Sequence, residues 1–337
     1  MKRRLIAFTG VGRVELEEQD LRAPGEHELL VRNEVSAISA GTERANLLDL
    51  PNLAGAKPGQ FPKYLGYSGV GVVVDKGSAV AGFAVGDRVL THWGSVHADH
   101  NYIAQEQAVR IDDPALRADH AVFAVIAGFS LNAIRKTRFE IGESAAVVGM
   151  GILGSFALAL LRSAGAVPLI ATDLSPRRRE LALALGAHQA LDPADPACGA
   201  RIREVSSGGV KVVIEVTGQA VALKQCLGFT ARGGRVALLG CTRVSDVAID
   251  FYQDVHRPGI EILGAHTDAR AARESRPHAW TWQDDARALL ALMGDGRLAV
   301  ARILSASFSP QDAPRVYRQL VDDPDFPVGA VFDWGKG

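Results

Sequence analysis

A chain of 337 residues is long enough for two domains at ~100–200 residues each. Hydrophobic residues make up 47% and charged residues 22%, the balance of an ordinary globular protein rather than a disordered or fibrous one. Lys and Arg number 37 against 38 Asp and Glu, so no charge surplus draws the chain to nucleic acid or an anionic membrane. The opening Met1-Lys2-Arg3-Arg4-Leu5-Ile6-Ala7-Phe8 starts like a secretion signal, but its apolar run ends far short of the ~7–15 residues a signal core needs. Residues 1–110 are short alternating runs (28–34, 69–74, 88–90) broken by Ala23-Pro24-Gly25, Lys57-Pro58-Gly59 and Val85-Gly86-Asp87. That pattern predicts a mostly β domain. From about Asp119 the texture changes. A helix over 121–136 leads to the strand Ala145-Ala146-Val147-Val148, a helix over 153–164 and a second strand ending at Thr172-Asp173. A helix (177–185), a strand (210–216), a further helix and strands over 235–240 and 261–264 continue the alternation. Such alternation predicts βαβ units on a parallel sheet. After a polar stretch to Pro277, a helix (282–293), a strand (302–308), a helix (313–321) and a strand (329–334) are expected. No uncharged apolar stretch reaches the ~18 residues of a membrane span. Cys198, Cys226 and Cys241 are scattered, without a C-x-x-C pair, so neither disulfides nor a cysteine zinc site is expected and a reducing cytoplasm suits the chain.

The strongest chemical signal is Gly149-Met150-Gly151-Ile152-Leu153-Gly154, a G-x-G-x-x-G between an apolar strand and an apolar helix. In that setting the first glycine makes the turn, the second admits a pyrophosphate and the third lets helix pack on strand. Asp173, 19 residues after Gly154 at the next strand's end, is placed to accept the ribose hydroxyls of NAD. It would repel the 2′-phosphate of NADP. Arg177, Arg178 and Arg179 could hold that phosphate but read better as a solvated helix face, so NAD is the expected cofactor.

At this point the chain resembles the medium-chain dehydrogenases/reductases, the superfamily of zinc alcohol dehydrogenases and quinone reductases. The likeness rests on 23–31 (compare "PGPGEVLV"), 69–74, Gly86-Asp87-Arg88-Val89 and Ile214-Glu215-Val216-Thr217-Gly218, and it covers nearly the whole chain. It implies an α/β fold class: a Rossmann doubly wound parallel sheet plus a GroES-like, mostly β catalytic domain, with the active-site cleft between them. The expected bounds are 1–118 for the catalytic domain, 119–266 for the Rossmann domain, and 267–337 for a segment returning to the catalytic domain. Cofactor contacts are implied for Gly149, Met150, Gly151, Ile152 and Leu153, for Asp173, Leu174 and Arg178, and for Val216, Thr217, Gly218, Leu239, Gly240 and Cys241. A homodimer or homotetramer, paired through 261–264, is implied as well.

Zinc-binding members carry a Cys in a "CGTD" block and a His-Glu pair in "GHE". Here those blocks read Ala40-Gly41-Thr42-Glu43 and Leu65-Gly66-Tyr67-Ser68-Gly69, so alanine, tyrosine and serine stand at ligand positions. A catalytic zinc needs about three protein ligands, so family-type zinc is not expected. A rearranged site of His92, His97 and His100 is conceivable but reads better as a polar strand. Without zinc, another group must polarise the carbonyl and carry the alcohol proton. The resemblance puts the Tyr67 hydroxyl, Thr42 and His97 near the substrate, each otherwise readable as packing or cleft lining. His266 and Arg270 could also reach the cleft.

The leading expectation is a zinc-independent, NAD-dependent oxidoreductase for a secondary alcohol or ketone on a polyhydroxylated or bulky small molecule. Residues 39–44 resemble the "S-x-GTER" of bacteriochlorophyllide dehydrogenases, which oxidise a secondary hydroxyl. The alternatives are a zinc-free quinone or enoyl reductase using NADPH, disfavoured by Asp173, and a non-catalytic NAD-binding protein.

Overall fold

The chain, described over residues 2–51 and 59–336 by a computed structural model, divides into two compact units. Lys57 and Pro58 of the second expected turn lie outside the described residues. One unit comprises Met1–Ile126, Ala286–Gly296 and Ile303–Gly337; the other comprises Ala127–Asp285 and Arg297–Arg302.

The first unit is built around the strand Glu28–Ile38. One side of that strand pairs along its length with Ser68–Lys76; on the other, its first half meets His100–Ala104 and its second half meets Gly329–Asp333, all antiparallel. Leu304–Phe308 adds parallel to Gly329–Asp333, and Arg88–His92 and Ala108–Arg110 extend the far edge to seven strands. A three-stranded sheet joins Arg13–Asp20, Lys2–Gly10 and Lys63–Tyr64. Between the sheets and the helix Ala313–Asp322 lies a core that includes Ile6, Phe8, Ile38, Val316, Tyr317, Phe332 and Trp334. Each such large apolar side chain contributes ~1.5–3 kcal/mol by leaving water. One helix in this β-rich unit was not expected. Residues Ala40–Leu47 coil directly after the central strand, and their buried residues, Glu43, Ala45, Asn46 and Leu47, include two polar ones and give too weak a periodic signal to read in the sequence.

The second unit is a six-stranded, all-parallel sheet ordered Gln189–Leu191, Leu169–Thr172, Ala145–Val148, Val210–Glu215, Thr230–Leu238, Glu261–Gly264. This is the doubly wound order, with its switch point between the third and fourth strands. Two of the four inner strands, Ala145–Val148 and Leu169–Thr172, are buried at every residue, as parallel strands covered on both faces must be. The helix expected over 121–136 is broken into Ala118–Ala121 and Ala124–Lys136. The short strand Gln189–Leu191 and the helix Cys198–Val205 were not expected; both are too short to carry a strong period. Where a strand was expected to start at Arg302, a 3₁₀ turn covers Val300–Arg302 and the strand begins at Leu304. Among the described residues no helix is long and apolar enough to cross a membrane.

Candidate active site

The implied cofactor residues gather at the carboxyl ends of neighbouring strands in the parallel sheet, where ligands of such sheets bind. Gly149, directly after Ala145–Val148, turns with φ +95°, a conformation that favours glycine, and its N–H donates to the Thr172 carbonyl at 2.8 Å. A Cβ on Gly154 would lie 1.8 Å from the Gly149 carbonyl oxygen, so the glycine lets helix and turn touch. A Cβ on Gly151 would meet nothing within 4 Å. The helix Ile152–Ser163 starts there with no side chain capping its first N–H groups, which leaves them to an anion.

Asp173 is only 9% exposed. Its Oδ2 accepts the Met150 N–H at 2.7 Å and its Oδ1 the Ser175 N–H at 2.8 Å. A carboxylate offers about four acceptor positions, so each oxygen retains capacity for a ribose hydroxyl. Ser175 caps the helix Pro176–Ala184 with proline in its first turn. From that helix Arg179 turns back, its Nη1 donating to the Asp173 and Leu174 carbonyls at 2.8 and 2.9 Å and pairing with Asp192 at 3.2 Å. Leu174 and Arg177 are exposed beside it, with Arg178 half-buried. On the next strand Glu215, absent from the expected set, organises two implied loops. Its Oε1 accepts the Thr217 N–H at 2.7 Å, the Thr217 hydroxyl and the Gly218 N–H, while its carbonyl accepts the Leu239 and Gly240 N–H groups at 2.9 Å. Burial pushes the Glu215 carboxyl above the usual carboxylate range, against the pull of those donors. Val216 follows Glu215 directly, and Cys241 is exposed next to Gly218. These residues fit a dinucleotide: free helix N–H groups and open space at Gly151 for the pyrophosphate, and Asp173 for the ribose. His266 lies exposed past the last strand, its Nδ1 accepting the Asp268 N–H, and Arg270 stacks over Phe129 at 5.3 Å.

In the first unit, Tyr67 and His97 are drawn into one hydrogen-bonded network. The Tyr67 hydroxyl donates to Ser39 Oγ at 2.5 Å. Ser39 stands at the N-cap of Ala40–Leu47, yet its hydroxyl does not cap that helix. Instead Glu43 reaches back and accepts the Ser39 N–H at 2.7 Å. The other donors to Glu43 are His97 Nε2, 3.2 Å from Oε1, and the Tyr317 hydroxyl, 2.7 Å from Oε2. A carboxylate only 1% exposed is tolerable because each oxygen meets a donor. Burial and the neighbouring carboxylate push the Tyr317 hydroxyl well up, which keeps it a donor. Ser36 Oγ accepts the Trp334 Nε1–H at 3.0 Å and lies within hydrogen-bond distance of His97 Nδ1, 2.8 Å away.

His97 is therefore held at both nitrogens and 1% exposed. Thr42 is half-buried on the same helix, its carbonyl accepting the Asn46 amide; among the described residues its hydroxyl is not part of the network. Trp93 lies 5.9 Å from the Tyr67 ring, 44% exposed, and stacks on His92. Sequence reasoning missed Ser36, Ser39, Glu43, Tyr317 and Trp334. Only the Ser39–Glu43 spacing carried a signal, a near match to a capping box.

The positions where a family-type zinc would sit do not supply ligands. The Ala40 methyl carries no donor atom, the Tyr67 hydroxyl is engaged with Ser39, and the buried Ser68 hydroxyl donates to the Val122 carbonyl. The three histidines do not converge: His92 stacks on Trp93, His97 is enclosed, and His100 pairs with Asp99 at 3.0 Å. Among the described residues no group of three or more His, Cys, Asp or Glu is placed to hold a metal ion. A zinc centre needs about three protein ligands, so the residues present do not fit one.

Two families match this chain: zinc-binding dehydrogenases over residues 153–282 and the alcohol dehydrogenase GroES-like domain over residues 25–129. The chain is 27% identical over 272 residues to the D-guloside 3-dehydrogenase of Escherichia coli (strain K12), covering 78% of this chain and 75% of that one. It is 30% identical over 235 residues to the L-threonine 3-dehydrogenase of Chromobacterium violaceum, covering 61% of this chain and 67% of that one. Its fold matches the crystal structure of benzyl alcohol dehydrogenase from Acinetobacter calcoaceticus with a TM-score of 0.85 at 18% identity, over 99% of both chains.

Proposed function

From the premise that this chain belongs to the zinc-binding dehydrogenase family of medium-chain NAD(P)-dependent oxidoreductases, we propose that it is an NAD-dependent alcohol dehydrogenase that works without zinc. Its substrate in this reading is a secondary alcohol, or the matching ketone, on a sugar- or polyol-like molecule. The observation that carries the reading is the Tyr67 hydroxyl, which stands at one of the family's ligand positions and donates to Ser39, the residue before another. Oxidising an alcohol removes a hydride and a proton. The bound nicotinamide supplies the hydride acceptor. Tyr67 takes the proton at its oxygen and gives its own to Ser39 Oγ, which releases its hydroxyl proton to water; in the reverse direction each transfer runs backwards, and Tyr67 donates to the carbonyl oxygen. NAD is favoured over NADP by the buried Asp173 carboxylate and by Arg179, whose guanidinium is committed to Asp173, Leu174 and Asp192. The names of the two relatives place dehydrogenation at position 3, inside a carbon chain, where a hydroxyl is secondary. The likeness of residues 39–44 to bacteriochlorophyllide dehydrogenases points to a secondary hydroxyl too.

The direct test follows reduced-cofactor absorbance with NAD or NADP and D-glucitol, methyl D-glucoside and 2,3-butanediol, in the presence of a strong chelator. Chelator-resistant oxidation with NAD, and weaker binding of NADP by calorimetry, are expected. Activity restored only by added zinc, or tighter NADP binding with turnover of quinones, would overturn the assignment.

Self-association follows from the sheet edge. Among the described residues Glu261–Gly264 pairs on one side only, with Thr230–Leu238, and carries Ile262 and Leu263 half-buried. An apolar edge of this kind is a template for another strand. Light scattering at micromolar concentration should give two or four times the chain mass, and a monomeric mass would refute strand-to-strand pairing.

A further inference from the structure

The hydroxyl that the proposed chemistry depends on is secured at two places, and both lead to one residue. At the hydroxyl end, Tyr67 donates to Ser39 Oγ, and Glu43 Oε1 holds the Ser39 main-chain N–H. An N-cap serine normally spends its hydroxyl on its own helix. Here Glu43, on the helix itself, holds the Ser39 main chain, and Ser39 Oγ faces Tyr67 instead of capping the helix.

At the main-chain end, the His97 ring packs against Gly66, the residue before Tyr67. A Cβ there would come within 2.8 Å of His97 Cγ, so nothing larger than glycine leaves the ring in place. His97 N–H donates to the Leu65 carbonyl at 3.2 Å, Val96 N–H to that of Gly66 at 3.1 Å and Trp93 N–H to that of Tyr67 at 3.1 Å, so the loop bearing His97 holds the main chain at Tyr67 and the two residues before it. The ring's orientation is set by Ser36 on one nitrogen and Glu43 on the other.

We propose that Glu43 is a positioning residue that fixes Tyr67 from both ends, through Ser39 at its hydroxyl and through His97 at its main chain. This rests on the reading of Tyr67 as the group that meets the substrate oxygen. A buried carboxylate whose only task was to hold the core together could be replaced with no selective effect on Tyr67. A positioning carboxylate cannot.

Two measurements separate these cases. The first needs no substrate: 3-fluorotyrosine is placed at position 67 and its ¹⁹F resonance is recorded in the full-length protein and in the Glu43→Gln variant. Glutamine keeps the shape and an acceptor for Ser39, and Tyr317 can turn its hydroxyl to suit the amide, so the fold is retained. A shifted or exchange-broadened resonance is expected with unchanged far-ultraviolet dichroism. An unmoved, equally sharp resonance overturns the proposal. His97→Asn, which spares Ser39, gives a second variant if Glu43→Gln does not fold, and should move the same resonance.

The second measurement is a double-mutant cycle on single-turnover hydride transfer, using whichever of D-glucitol, methyl D-glucoside or 2,3-butanediol the protein oxidises. Glu43→Gln alone is expected to slow transfer about ten- to a hundredfold, the scale of a misplaced reacting group. In the Tyr67→Phe background it should add almost nothing, because both changes disable the same element. Multiplying losses would show a merely structural role and overturn the proposal. If Tyr67→Phe alone leaves the rate intact, the functional reading of Tyr67 fails, and the fluorine resonance still decides whether Glu43 positions the ring.

Discussion

Tyr67→Phe should slow single-turnover hydride transfer by ~10²–10³-fold, the ~2.7–4 kcal/mol lost when one donor to a developing oxyanion is removed. The change keeps the ring and its approach to Trp93 and deletes only the oxygen that donates to Ser39. The lost bond to Ser39 itself costs ~0.5–1.5 kcal/mol of stability, too little to unfold the protein. Because the bond to substrate oxygen strengthens only as charge develops there, kcat and kcat/KM should fall together. NAD affinity should stay unchanged, since the implied cofactor residues belong to the other unit. Stopped-flow absorbance of the reduced cofactor, with calorimetry for NAD, checks both halves. Full single-turnover rate in the variant would reduce Tyr67 to cleft lining and leave the proton path to Ser39, Thr42 or water.

The second large effect separates two glycines three residues apart. Gly151→Ala should leave thermal stability intact, since the new methyl would meet nothing within 4 Å and the backbone there, at φ −68°, suits alanine. The methyl would instead occupy the approach to the helix N-terminus, and NAD binding should weaken by about tenfold or more, ~1.4 kcal/mol. Gly154→Ala should do the reverse first. Its methyl would fall 1.8 Å from a main-chain oxygen, an overlap that no rotamer relieves, so helix and turn must separate. Overpacking of this kind costs ~1–3 kcal/mol or more, visible as a lower Tm before any cofactor is added. Equal stability losses in the two variants, or unaltered NAD binding in Gly151→Ala, would mean that the pyrophosphate lies elsewhere.

The parallel sheet was legible because its strands are apolar runs punctuated by glycine or aspartate at their carboxyl ends, and those end residues are the implied cofactor contacts. Gly149 and Asp173 could therefore be singled out from local pattern alone, whereas Val216 came only with the resemblance. The hydroxyl network could not. Ser36 and Trp334 are 298 residues apart in sequence, and Glu43 and Tyr317 are 274 apart, so nothing local ties them together. Tyr67 and His97 were reached only through resemblance, which supplies a location but no hydrogen-bond partners. Their connection waits on Ala40–Leu47, an unexpected helix that turns Ser39 and Glu43 toward each other. A buried polar network specifies long-range geometry with residue types that are unremarkable in isolation.

The threading of the first unit sets an order of assembly during synthesis. Residues Ala127–Asp285 are contiguous and can close their sheet while the ribosome is still working. The seven-stranded sheet cannot, because Gly329–Asp333 must slot between Glu28–Ile38 and Leu304–Phe308. About 200 residues separate Ile126 from Gly329, roughly 10–40 s of elongation at ~5–20 residues per second. Throughout that interval the half of the central strand from Val35 to Ile38 is an open sheet edge, a site where a chaperone or a neighbouring nascent chain could pair. Glu43 meanwhile lacks Tyr317 and Ser36 lacks Trp334, so the hydrogen-bonded network around Tyr67 is among the last parts of the molecule to set.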